Sequence, residues 1–205
     1  KPGERVVISL DIAASEFGSK GRYRLALEDR ELDRDQMIDL LGRWIDSYPI
    51  ASIEDPLAED DPEGMAAFTK AYGHKLQIIG DDYLVTNAAL VAAAAEAGAC
   101  NAVLVKGNQA GTVSESMACL TEAKARGYRS IVSARSGETE DVSISHLAVG
   151  LGAGQLKVGS FTRSERMAKW NECLRIGDAL GRGAFVGGAP LAGTWWAQQS
   201  KGKSQ

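Results

Sequence analysis

Six apolar runs in this chain each end in, or lead straight into, a charged or anion-binding residue. Val6–Leu10 ends at Asp11, Ile50–Ile53 at Glu54 and Leu76–Gly80 at Asp81. Ala102–Val105 ends at Lys106, Ser130–Ser133 runs into Arg135 and Ser136, and Gly154–Leu156 ends at Lys157. Three carboxylates brought to one point repel each other unless a cation lies among them. With no His or Cys beside them, the all-oxygen donor set favours Mg2+ over a transition metal. Lysines in the same place need anionic partners, and a neighbouring cation lowers a lysine pKa toward that of a usable base. Arg135 and Ser136 offer a guanidinium fork, a hydroxyl and turn amides, a set suited to phosphate or carboxylate. Together these residues describe a hard metal, an anionic substrate and a lysine base. Each also has a plainer reading: the carboxylates as helix caps or surface ion pairs, the lysines as their counter-charges, and the Arg135 loop as a self-paired turn.

Stretches long enough for a helix separate the runs, and the helix signals lie where they should. Met37, Leu40, Leu41, Trp44 and Ile45 form one apolar stripe after a cap at Asp33, with Met37 and Trp44 assigned to the core. Asp61-Pro62 opens a helix to Tyr72, and Thr86-Asn87 opens an Ala-rich one that Gly98 ends. Thr112-Val113-Ser114-Glu115 matches a capping box. Val142–Gly150 and Arg163–Ile176 read as further helices, and Gln155–Val158 as the last strand. Short strands with little alternation suit a parallel sheet covered on both faces. The expected architecture is α/β, a β/α barrel whose chemistry sits at the C-terminal ends of its strands. No boundary is expected before Gly177; beyond it a Gly-rich stretch and the polar tail Ser200–Gln205 predict surface wrapping.

Composition narrows the function. The chain has 205 residues, 44% apolar and 24% charged, ordinary for a globular protein. A net charge of −4 without basic runs argues against nucleic acid and acidic membranes as partners. No apolar stretch is long enough to span a bilayer. Three cysteines, Cys100, Cys119 and Cys173, lack metal-type spacing and suggest reduced thiols in the cytoplasm. His74 reads as exposed and His146 as a packing or pairing residue rather than a catalytic one. The start at Lys1, without Met, suggests a segment of a longer protein.

Several motifs in register resemble the enolases. They are Leu10-Asp11-Ile12-Ala13-Ala14-Ser15-Glu16-Phe17, Ser52-Ile53-Glu54-Asp55-Pro56, Gly80-Asp81-Asp82, Leu104-Val105-Lys106-Gly107-Asn108-Gln109, Ser136-Gly137-Glu138-Thr139-Glu140-Asp141 and Arg163-Ser164-Glu165-Arg166. The resemblance runs from about Val6 to Ile176 and covers the last six strand–helix units of the enolase barrel. It implies that Asp11, Glu54 and Asp81 bind Mg2+, and that Lys106 removes the α-proton. It implies that Lys157 holds the substrate carboxylate and that Arg135 and Ser136 hold the phosphate. The implied activity is interconversion of 2-phosphoglycerate and phosphoenolpyruvate, with a glutamate acid upstream of Lys1 and a homodimer or higher oligomer. Ala134 stands where enolases usually carry His. Gly107 replaces a larger residue, and Gly159-Ser160-Phe161 replaces Gly-Ala-Pro. These departures leave two alternatives: a paralogue acting on another phosphate, phosphonate or carboxylate, and a non-catalytic binding or scaffold protein.

Overall fold

The computed structural model describes residues 1–201. β1 (Ile8–Asp11) is followed by an antiparallel meander of β2 (Gly18–Ser19), β3 (Arg22–Leu25) and β4 (Arg30–Asp33). Then come α1 (Arg34–Ser47), β5 (Ile50–Glu54), α2 (Pro62–Tyr72), β6 (Gln77–Gly80), α3 (Ala88–Ala97) and β7 (Ala102–Val105). A short α4 (Gly107–Ala110) precedes α5 (Val113–Ala125), β8 (Arg129–Ser133), α6 (Ser143–Gly150), β9 (Leu156–Lys157), α7 (Ser164–Leu180) and α8 (Trp195–Lys201). The sheet order is β1-β5-β6-β7-β8-β9, every pairing parallel. These are six consecutive strand–helix units of a β/α barrel, as the sequence predicts. No helix among the described residues is long and apolar enough to cross a membrane.

Side-chain caps start α1, α2, α3 and α5. Asp33 Oδ1 accepts from Gln36 N at 2.9 Å while Gln36 Oε1 accepts from Asp33 N at 3.0 Å, a reciprocal cap on α1. Met37, Leu41 and Ile45 then face the sheet and are buried, each contributing roughly 1.5–3 kcal/mol. Trp44 is the exception to the expected core: it is 40% exposed, at the outer edge of that stripe. Asp61 caps α2 ahead of Pro62, and Asn87 caps α3, which ends at Gly98 in the left-handed region, φ 65°. Strands β5 to β7 are buried at every residue, as a sheet covered on both faces requires. Ile79, Ala102, Leu104 and Ile131 pack together on one face, apart from the larger core between sheet and helices.

The sheet is strongly curled. Gln77 at the start of β6 and Gln155 just before β9 exchange hydrogen bonds at 3.1 and 2.9 Å, and Gln77 also donates to Ser52 Oγ at 3.1 Å. In a flat sheet strands three apart lie about 14 Å from each other, beyond comfortable side-chain reach. Only a sheet bent toward closure brings these amides together.

Two segments depart from expectation. The β2–β4 meander lies where the sequence gives only a connection, and it packs by the buried Tyr23 hydroxyl, which donates to Asp61 at 3.0 Å. Helix α7 continues past Ile176 to Leu180. In the segment that follows, Trp195 Nε1 donates to Ile50 O at 2.5 Å, and Trp196 Nε1 to Glu4 O at 2.8 Å, beneath the N-terminal ends of the strands. Most of the polar tail, residues 202–205, lies outside the described residues.

Candidate active site

Every residue singled out in the sequence stands at or just past the C-terminal end of a sheet strand. Asp11 ends β1, Glu54 ends β5, Asp81 follows β6 and Lys106 follows β7. Arg135 and Ser136 follow β8, and Lys157 ends β9. The curl brings most of them together. Lys157 Nζ lies 2.7 and 2.8 Å from the two Glu54 oxygens and 3.0 Å from Asp11 Oδ2. Lys106 Nζ pairs with Asp81 Oδ2. Arg135 and Ser136 stand apart from these ion pairs; the Arg135 guanidinium reaches Asn108 Oδ1 of α4 at 3.4 Å.

The electrostatics are those of crowded carboxylates. Glu54 is 2% exposed. Burial drives its carboxyl well above the usual range, Lys157 opposes this, and Asp11 and Asp81 push the same way as burial. Burial also disfavours the Lys157 charge, but Glu54 and Asp11 outweigh it and hold that lysine above its ordinary value. Asp81 Oδ1 is buried and has no hydrogen-bond partner. An orphaned carboxylate oxygen beside a lysine-bridged pair of acids fits a cation, and the oxygen-only donors fit Mg2+.

The sequence reading missed how these groups are held. Asp55 Oδ1 accepts from Asp81 N at 2.9 Å and Asp55 Oδ2 from Asp82 N at 2.7 Å. Burial pushes the Asp55 carboxyl up to about 7, against the lowering effect of those two N–H groups. Asp55, Asp81 and Asp82 are the trio of acids whose oxygens lie within 4.8 Å of one another among the described residues, whereas the predicted set of Asp11, Glu54 and Asp81 is not gathered that closely, because Lys157 stands between Asp11 and Glu54. Both doublets, Glu54-Asp55 and Asp81-Asp82, are visible in the sequence, where the second member of each carried no role. Thr86 is the other omission. It and Val85 adopt φ of 57° and 42°, a strained conformation for β-branched residues. The strain delivers the buried Thr86 Oγ1 to Lys106 N at 3.0 Å and to Gln109 Oε1 at 2.8 Å. Sequence pattern gave Thr86 only as part of a helix start.

Residues 2–193 match the model of the enolase C-terminal TIM barrel domain. The chain belongs to the enolase family. It is also 50% identical over 185 residues to Enolase 1 of Desulfitobacterium hafniense (strain Y51), across 89% of this chain and 42% of that protein. The chain thus spans less than half the length of this curated enolase. Among the departures from enolase pattern, Gly107 is accommodating: a Cβ there would meet only Ser116 Oγ, at 3.7 Å. Ala134 is buried, and its N–H donates to Lys157 O at 2.8 Å. Phe161 is 71% exposed and stacks on Trp170, with ring centroids 5.3 Å apart.

Proposed function

We propose that this chain carries the metal-binding and proton-abstracting half of an enolase site that interconverts 2-phosphoglycerate and phosphoenolpyruvate. The observation that carries this reading is the joint presence, at one end of one sheet, of Asp11 and Glu54 bridged by Lys157 and of Asp81 paired with Lys106. A scaffold protein would have no use for such a set, because clustered buried charge is destabilising without a ligand.

In this reading Asp11, Glu54 and Asp81 hold Mg2+. The metal supplies electrophilic stabilisation of the charge that develops on the substrate carboxylate, as is general for enolase-superfamily sites. Lys106 Nζ accepts the proton α to that carboxylate. Thr86 fixes the Lys106 backbone, and the pairing with Asp81 keeps its side chain directed at the site. The Lys157 ammonium, already bound by two carboxylates, orients the substrate carboxylate. Arg135 and Ser136 take the phosphate. Loss of hydroxide from the β-carbon needs a general acid, and none of the residues described above fills that role.

The test is Mg2+-dependent turnover of 2-phosphoglycerate by the full-length protein, with Lys106→Ala alongside. Turnover that disappears in the variant supports the reading. Mg2+ binding without turnover would refute it. That result would favour a paralogue with another anionic substrate, a reading to which buried Ala134 gives weight because it removes a polar side chain beside Arg135. Ala134→His would then raise turnover of 2-phosphoglycerate.

A further inference from the structure

Two cations of α7 are buried against the loop that follows β8. Arg166 is 8% exposed and Lys169 is fully buried. Three residues apart, they lie on one helix face. Arg166 Nη1 donates to Arg135 O and to Val158 O, and Nη2 donates to Ser136 O, each at 2.8 Å. Lys169 Nζ donates to Thr139 O at 2.8 Å and to Glu165 O at 3.0 Å, and pairs with Glu138 Oε2 at 2.9 Å. The other Glu138 oxygen accepts from Arg135 N at 2.8 Å.

Removing two full charges from water is strongly unfavourable unless each is well partnered. An apolar face would have packed α7 more cheaply. These cations instead bind three main-chain carbonyls of one loop, those of Arg135, Ser136 and Thr139, together with the Glu138 carboxylate of the same loop and the carbonyls of Val158 and Glu165. That choice fixes where the other side of each peptide points. The peptide bonds of this loop are trans, so within each unit the C=O and N–H point opposite ways. With the Arg135 and Ser136 carbonyls turned to Arg166, the N–H groups of Ser136 and Gly137 must face away from it. Among the described residues, neither N–H has a hydrogen-bond acceptor in the protein. Two successive N–H groups turned away from Arg166, on the residues that also carry or follow the Arg135 guanidinium and the Ser136 hydroxyl, are the donor types that bind an anion.

We propose that Arg166 and Lys169 are positioning residues for anion binding, holding the Arg135–Thr139 loop by its carbonyls so that the Ser136 and Gly137 N–H groups stay presented to the anion. This rests on the reading of that loop as the phosphate-binding element. Neither side chain contacts the anion itself.

The experiment compares Arg166→Lys with Leu120→Ala in the full-length protein. Arg166→Lys keeps the charge and loses the fork. Leu120 is a buried residue of α5, so its variant lowers Tm without touching the loop. The readouts are Kd for inorganic phosphate by calorimetry, KM and kcat for 2-phosphoglycerate, and Tm. In Arg166→Lys, Kd and KM are expected to rise roughly 10-fold with kcat held within about twofold. In Leu120→Ala both constants stay unchanged at a comparable loss of Tm. Constants in Arg166→Lys that match the control would overturn the proposal, as would an unmodified protein that does not bind phosphate. If the unmodified protein binds phosphate but does not turn over 2-phosphoglycerate, the enolase reading fails while the phosphate Kd still decides this one. Should Arg166→Lys not fold, Lys169→Arg is read by the same criteria.

Discussion

Lys157 and Glu54, separated by 103 residues and three intervening strands, meet at 2.7 Å across the open end of the sheet. This contact joins the last strand to the second, and Lys157 adds Asp11 on the first. It is at once a structural tie and a part of the candidate site. Lys157→Met strands a buried Glu54 carboxylate without its counter-charge. The half-exposed ammonium trims the cost below that of a fully buried pair, so the expected loss is about 2–4 kcal/mol. Urea unfolding with and without Mg2+ checks it, and Mg2+ should recover part of the loss.

Asp55 is the bracket behind the acids. Asp55→Asn leaves one acceptor where two N–H groups converge. Mg2+ binding should weaken about 10-fold and stability fall by about 1–3 kcal/mol. Calorimetric titration of Mg2+ into the variant measures the first, and an unchanged affinity would show that Asp81 needs no such support.

Gly80 sits immediately before Asp81 and leaves no room for a side chain. A Cβ there would lie 2.6 Å from Leu84 Cγ, and Leu84 is fully buried. Gly80→Ala must shift either Leu84 or the strand end that carries Asp81. The expected cost is about 1–3 kcal/mol with weaker Mg2+ binding. A variant with wild-type Tm and wild-type affinity would show that the pocket yields freely.

Thiol chemistry offers a pH test away from the site. Burial pushes Cys119 from 9.0 up to about 11, and Cys100 from 9.0 up to about 12 even though its bond to Tyr128 lowers it. Raised folded-state values mean the folded chain keeps protons that the unfolded chain gives up. This contribution is therefore fully present below pH 9 and is lost as pH rises through about 11 to 12. Denaturation midpoints should decline across that window and decline less in Cys119→Ala. At neutral pH a thiol reagent should label the half-exposed Cys173 first and the other two only on unfolding.

The sequence made the barrel units legible because each apolar run ends at, or leads into, a charged or anion-binding residue. Asp11, Glu54, Lys106 and Lys157 could be found that way, and so could their shared end of the sheet. What stayed hidden was of two kinds. The meander at Gly18–Asp33 alternates only briefly, at Tyr23 and Leu25 between arginines, in strands of two to four residues; its ordering depends on Tyr23 reaching Asp61, a contact that spans 38 residues. Asp55 and Arg166 bond main-chain groups, and Thr86 and Lys169 bond main-chain groups as well as one side chain each, Gln109 and Glu138; a residue that binds a backbone leaves little complementary pattern in the sequence to betray it. Trp44 was misread because a helix stripe five residues wide on paper is narrower when the sheet beneath it curves away.

The tryptophan clasp under the sheet sets an order in time. Trp196 reaches Glu4 across 192 residues, the widest separation of any bond described above. Loop closure of that span is entropically opposed until the strands between have stacked. Helix formation and strand pairing can run ahead of it, but the clasp must form late. Indole emission from Trp195 and Trp196 would therefore clock the final consolidation of the chain, lagging the far-ultraviolet signal during refolding.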